Sequence, residues 1–460
     1  MSARPVVVIL VVGLTPALLG EHTPHLSALA RDGFMAPLTP VLPAVTCSVQ
    51  SSLLTGLLPR DHGVVANGWY FRELSEVLFW RQSNRLVSGQ KVWEAARAQR
   101  AGFKTAKLFW WYNMYSSAEL SLTPRPIYPA DGRKLPSVYS HPPELGVAMQ
   151  RELGTFPLFQ FWGPGADIRS SAWIAESARR VFDQHRPDLS LVYLPHLDYN
   201  LQRLGPDDPR VADDVRAVDR VAGGLIDHVR AAGAEVIVVS EYGIEAANGV
   251  VPINRALREA GLLAVQETLG FELLDAGASR AFAVVDHQLA HVYVRDPADL
   301  AAVRALIERQ PGIERVLDDA GKREAGLDHP RSGELVCVAE PGHWFSYYYW
   351  LDDARAPDYA RTVDIHRKPG YDPVELFLDP DLTLPKLKIG WTLAKKLAGF
   401  RYLMDVIPLK PELVRGTHGR LPASPEHGPL LIGSNRTHAR DRLHATEFKQ
   451  WLLGVLALGS

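Results

Sequence analysis

Between Pro43 and Asn67 the chain reads PAVTCSVQSSLLTGLLPRDHGVVAN. Pro43 cannot continue a strand ladder and restricts the residue before it, so the chain turns there. Thr46, Cys47 and Ser48 are short polar residues of the kind that open helices, and Val49, Ser52, Leu53 and Leu54 begin a helical pattern behind them. A hydroxyl or thiol at that point faces free backbone N–H groups and the positive end of the helix dipole, a setting for a phosphate-like anion. Both Thr46 and Cys47 qualify as a nucleophile, the thiol because a helix N-terminus lowers its pKa. The same residues also satisfy a plain helix cap followed by turns at Gly56, Pro59 and Gly63. Further on, Asp286-His287-Gln288-Leu289-Ala290-His291 sets two imidazoles four residues apart beside a carboxylate, a spacing that suits a cation. Asp364, His366 and Asp372 lie in another polar loop, where ligation and local hydrogen bonding both account for them.

The elements that must hold these groups read as an α/β protein. Val6–Val12 is a near-continuous β-branched run, the pattern of a parallel strand covered on both faces. Thr23-Pro24 opens a helix that Gly33 closes. Strands are expected at Lys104–Trp111, Leu189–Leu194 and Glu235–Ser240, alternating with helices at Lys91–Arg100, Ser171–His185 and Asp208–Ala231. This alternation predicts a doubly wound, mostly parallel sheet flanked by helices, with the site beyond the carboxyl ends of its strands. The core is assigned to 1–112, 166–250 and 405–460. Residues 113–165, rich in Pro, Tyr and Trp, and residues 251–404 are assigned to an inserted cap or lid.

A chain of 460 residues with 47% hydrophobic and 22% charged residues can bury a large core. The formal net charge of −2 supplies no basic field, which disfavours a nucleic acid duplex as partner. Two cysteines, Cys47 and Cys337, build no disulfide framework and fit a reducing cytoplasm. Val6–Leu14 is too short and too β-branched for a signal segment, and no apolar run is long enough for a membrane span. Pro385–Met404 is amphipathic and basic and reads as a solvated helix face, with a contact to an acidic substrate or membrane as the alternative.

Pro43, Thr46, Leu54-Thr55-Gly56, Pro59, His62-Gly63 and Asn67 together resemble the nucleophile segment of the nucleotide pyrophosphatase/phosphodiesterase branch of the alkaline phosphatase superfamily. The resemblance implies Thr46 as nucleophile and metal ligand and Asn67 as the holder of a phosphoryl oxygen. PAVTCSVQ, NGWYFRE, LVYLPHLDY and VSEYGI look like a bacterial subgroup of that superfamily, some of whose members appear beside biosynthetic genes.

In that family two zinc ions sit roughly 4 Å apart, one activating the nucleophile and one steadying the leaving or attacking oxygen. The oxygen-rich donors left in this chain suit a hard cation such as Mg or Mn better than zinc. The resemblance implies Asp198 and His418 as ligands of one ion, with Gln202 standing where the family has a histidine. The other ion keeps only Thr46 and Glu241, since Val12 and Tyr242 replace an aspartate and a histidine. One or two ions are therefore expected, with Cys47, Asp286, His287, His291, His366 and Tyr242 as further ligands or substrate contacts. The implied activity is hydrolysis or transfer on a phosphodiester, pyrophosphate or phosphorylated metabolite. The alternative is a phosphatase-fold protein that has lost the reaction and binds a metabolite or partner. A phosphorylated small molecule is the expected partner, with a homodimer left open.

Overall fold

The computed structural model describes residues 4–130 and 133–458; Asp131 and Gly132, within the expected cap, lie outside them. In chain order the strands that matter are β1 (Val6–Val11), β2 (Phe34–Thr39), β3 (Thr105–Leu108), β4 (Leu120–Pro124), β5 (Val138–His141), β6 (Leu189–Leu194) and β7 (Glu235–Val239). They continue as β8 (Ala281–Asp286), β9 (Leu289–Val294), β10 (Ile313–Leu317), β11 (Leu335–Ala339), β12 (Leu430–Gly433) and β13 (Leu443–His444). A nine-stranded sheet runs β13-β2-β12-β7-β1-β6-β3-β4-β5. Its centre is parallel: β1 pairs with β6 and β7, and β3 with β6 and β4. β12 enters antiparallel between β2 and β7, and β5 closes one edge antiparallel to β4.

Every residue of β1, β6 and β7 is buried, as central strands covered by helices on both faces must be, and their residues are mostly apolar, β-branched above all in β1. Those helices include α1 (Pro24–Asp32), α3 (Ile168–His185) and α5 (Val211–Ala231). The apolar stripe of α5, from Val215 through Val218, Ala222, Leu225 and Val229, lies in the core of this sheet. A four-stranded antiparallel sheet, β8-β9-β11-β10, carries a second apolar cluster. The aromatic run from Trp344 to Trp350 is buried, so it packs rather than presenting faces to a ligand.

Two sequence expectations change, and one aromatic group is fixed by the core. Residues 113–165 are not wholly a cap, because β4 and β5 extend the main sheet; their short runs lie between prolines that mask the strand pattern. Trp69, Trp110, Trp111 and Tyr112 are buried, held partly by Lys107, whose Nζ donates to the carbonyls of Trp111 and Tyr112 at 2.7 and 2.9 Å. Finally, α6 (Pro385–Leu397) turns apolar side chains outward rather than a purely polar face.

Beside the four-stranded sheet Lys368 is fully buried, with its Nζ 2.7 Å from Asp372 and 2.8 Å from Glu375. Trp162 Nε1 and the Asp364 amide donate to the two oxygens of Glu375 at 2.6 and 2.8 Å. Two carboxylates, one ammonium and these donors close the network, which is what a buried charge requires.

Candidate active site

The helix α2 (Thr46–Thr55) begins where sequence placed it, after Val45 in extended conformation, and all ten of its residues are buried. The Ala44 amide donates to the Gly419 carbonyl at 2.8 Å, which fixes the turn before the helix against the 416–419 segment. Thr46 Oγ1 lies 3.0 Å from the Tyr242 hydroxyl. That hydroxyl in turn makes a long contact of 3.4 Å to Asp198 Oδ1. Asn67 reaches the same helix start from the other side, its Oδ1 accepting from the Cys47 amide at 2.9 Å. Asp286 holds Asn67 in place, accepting from its backbone amide at 2.7 Å and from Nδ2 at 3.1 Å. Asp286 thus acts through Asn67, a role for which its sequence context carried no signal.

Cys47 is buried at the start of α2. Burial, reinforced by Asp286, pushes its thiol well above the usual range, so the helix N-terminus does not deliver a thiolate.

Asp198 and Gln202 stand one turn apart on α4 (His196–Leu204), which leaves the end of β6. The Arg415 amide donates to the Gln202 carbonyl at 2.9 Å. A Cβ on Gly416 would overlap the Leu201 carbonyl, so only glycine lets this segment lie against α4 and deliver His418. His418 Nδ1 donates to the Ala44 carbonyl at 2.9 Å. Burial lowers its pKa to about 3, leaving Nε2 as a bare lone pair with no hydrogen-bond partner, 4.0 Å from Asp198 Oδ1.

Four rings form a column through the site. Tyr242 stacks on His418 with centroids 3.6 Å apart, His418 lies 3.6 Å from His287, and His287 stacks on Tyr371 at 3.7 Å. Tyr371 donates to Gln202 Oε1 at 3.0 Å. Tyr242 and Tyr371 therefore bind α4 one turn apart, at Asp198 and Gln202. Burial keeps both imidazoles neutral and both phenols protonated.

The carboxyl groups are protonated more readily than in water. Burial raises Asp198 to about 7 and Asp286 to about 7, and pushes Glu241 well up. Glu241 Oε1 accepts from Gln50 Nε2 at 2.6 Å, and Gln50 Oε1 accepts from the Trp111 amide at 2.8 Å. Glu241 Oε2 has no partner. The remaining candidates sit elsewhere or serve locally. His291 donates from Nε2 to the Val65 carbonyl at 3.1 Å and accepts from the Gly333 amide at 3.2 Å. His366 lies 3.3 Å from the Phe79 carbonyl, and burial lowers it to about 4.

The donor set does not fit the two-cation centre that the resemblance implied. His418 has the tautomer of a ligating histidine, with one nitrogen on a backbone carbonyl and the other bare. Its neighbours do not complete a coordination sphere. Gln202 Oε1 is taken by Tyr371, Val12 offers no donor, and the Tyr242 phenol occupies the space between Thr46 and Asp198. Glu241, expected as a ligand, is bound to Gln50 through one oxygen, and burial favours its protonated form. Among the described residues no group of three or more His, Cys, Asp or Glu side chains converges to hold an ion, and zinc needs about four ligands.

A family model described as type I phosphodiesterase/nucleotide pyrophosphatase matches residues 6–372. An uncharacterised pyrophosphatase/phosphodiesterase of Schizosaccharomyces pombe is 24% identical over 238 residues, 48% of this chain and 41% of that protein. The chain thus spans about two fifths of the length of this curated relative. Murine ectonucleotide pyrophosphatase/phosphodiesterase 5 superposes with a TM-score of 0.60 at 16% identity, over 99% of this chain and 95% of its own. An inactive form of it, solved with AMP, gives 0.59 at 15% identity over the same shares. Phosphonoacetate hydrolase from Sinorhizobium meliloti 1021, solved with phosphonoformate, gives 0.63 at 14% identity over 100% and 96%. These likenesses establish the fold.

Proposed function

Because the chain belongs to the type I phosphodiesterase/nucleotide pyrophosphatase family, we propose that it cleaves or transfers a phosphoryl group of a phosphodiester, pyrophosphate or phosphorylated small molecule, with Thr46 as nucleophile. The observation that carries this reading is the file of oxygens from Thr46 Oγ1 through the Tyr242 hydroxyl to Asp198 Oδ1. As Thr46 Oγ1 bonds to phosphorus, the bond from phosphorus to the leaving oxygen breaks and that oxygen departs with the electron pair. The Thr46 proton passes to the Tyr242 oxygen and the Tyr242 proton to Asp198, which can then return it to the departing group. With its carboxyl raised to about 7, Asp198 is a base matched to neutral pH. The helix start and the second N–H of Asn67 Nδ2 face the oxygens that gain charge. Hydrolysis of the phosphothreonine would complete the cycle, and its transfer to an acceptor would make the protein a transferase. The AMP and phosphonoformate carried by the structural relatives support a small phosphoryl or phosphonyl ligand.

The test is turnover of bis-p-nitrophenyl phosphate and of ATP by wild type and Thr46→Ala, each after exhaustive chelation. Wild type should retain activity without added metal, and the variant should lose it by about 10²-fold or more. Equal turnover removes Thr46 from the reaction. A second reading, a family member that binds its ligand without turnover, is favoured by Thr46 being only 4% exposed and by the locking of Glu241 onto Gln50. It predicts no turnover in either protein, with phosphate or AMP still raising the melting temperature of both.

A further inference from the structure

The strongest feature outside the site is the outward face of α6 and the segment behind it. An amphipathic helix on a globular protein normally turns its apolar stripe inward. Here the inner contacts are modest: Ile389 packs beside Val406 and Ile407, and Thr392 is buried against its own helix. The larger apolar side chains point into solvent. Leu387 is 66% exposed, Trp391 65%, Leu397 88% and Phe400 67%, with Leu384 and Leu393 exposed beside them. Leu387, Trp391 and Ala394 are spaced i, i+4, i+7 and share one side of the helix.

The charge of this segment is as one-sided as its apolarity. Thr383–Met404 holds Lys386, Lys388, Lys395, Lys396 and Arg401 and no acidic residue, in a chain whose formal charge is −2. Lys388 is paired with Asp405 at 2.9 Å, and Lys395 lies 5.7 Å from the Trp391 ring. Arg401 donates to the Ala130 carbonyl at 3.3 Å, which brings the loop carrying the exposed Ile127 and Tyr128 alongside. Leucine, tryptophan and phenylalanine flanked by lysines on a surface helix is the composition that lies in the headgroup layer of a bilayer. No helix among the described residues is long and apolar enough to cross one.

We propose that α6 and the residues through Phe400 dock the protein on the surface of an anionic lipid bilayer, with Leu387, Trp391, Leu397 and Phe400 entering the headgroup region. Lys386 and Lys395 take anionic headgroups. A second copy of this chain fits less well, since it would set the same cations against each other. An acidic protein partner would meet the charge but not the breadth of exposed apolar surface.

Cosedimentation with phosphatidylcholine vesicles, with and without a quarter phosphatidylglycerol, tests this on the intact protein. Binding to the anionic vesicles should exceed binding to the neutral ones by at least tenfold and fall as salt rises. Lys386→Gln with Lys395→Gln should weaken it about 25-fold, roughly fivefold per charge. Trp391→Ser with Leu397→Ser should weaken it by about tenfold or more. All four positions are on the surface, so circular dichroism and melting temperature should match wild type. Equal binding to both vesicle types, no vesicle binding, or variants that bind as wild type does would each overturn the proposal. So would a dimer that the Trp391→Ser change dissolves in a protein that ignores vesicles.

Discussion

Glu241→Gln separates a buried neutral acid from a cation ligand. Glu241 is completely buried, one oxygen bound to Gln50 and the other unpartnered, and burial pushes its carboxyl well above the usual range. Below the ordinary glutamate value of about 4.3 both folded and unfolded chains carry the proton, and the group contributes its full stability. Above that value the unfolded chain ionises while the buried acid does not, so stability falls by about 1.4 kcal/mol per pH unit until the folded group ionises too. Glutamine has nothing to ionise and keeps an oxygen for Gln50. From about pH 4.3 upward the wild type therefore loses stability that the variant keeps, against about 1 kcal/mol for the variant's extra unpaired N–H. Glu241→Gln should be the more stable protein at pH 7 and no better at pH 4.5, with the gap growing as pH rises between them. Urea unfolding followed by circular dichroism across this range reads the difference directly. A variant less stable than wild type at pH 7, or a gap that does not grow with pH, refutes the description of Glu241 as a neutral core acid. It would return the residue to the role of ligand.

Other perturbations have equally definite outcomes. Lys368→Met leaves Asp372 and Glu375 facing each other without their ammonium, which should cost about 3–5 kcal/mol in urea unfolding at pH 7. Gly416→Ala drives a methyl into the Leu201 carbonyl and should cost about 2 kcal/mol or more; a melting temperature equal to wild type would contradict the close packing of this segment on α4. Tyr242→Phe keeps the ring stack on His418 but cuts the file from Thr46 to Asp198, so kcat should drop by about 10²-fold with KM little changed. An undiminished kcat would take Tyr242 out of the proton path.

The parts of this protein that follow from local pattern were legible in its residues. The buried runs of β1, β6 and β7 and the helix opening at Thr46 are set by neighbours in sequence, and the structure has them. The short strands β4 and β5 were not legible, because four or five residues among prolines carry too little period to distinguish from loop. The centre of the site escaped for a different reason. Glu241 and Gln50 meet across 191 positions, and Thr46 and Tyr242 across 196. Tyr242 could be seen as a departure from a histidine, yet nothing nearby indicated that its ring would lie on His418 or its hydroxyl against Thr46. The exposure of α6 was legible as an amphipathic, basic helix, but which of its sides would face solvent was not.

The place of β12 in the main sheet bears on how the protein is made. Met35 pairs with Ile432, and the Leu430 amide reaches Ser240, which lies 190 positions before it. A ribosome therefore releases β2 and β7 long before the strand that joins them exists, and two facing strand edges stay open through most of synthesis. Such edges recruit whatever extended chain is near. Consolidation of this half of the sheet must wait until translation has passed residue 433, which makes the nascent chain a client for chaperones that shield unpaired strands. A stop codon before Leu430 would yield an aggregating product rather than a smaller folded one.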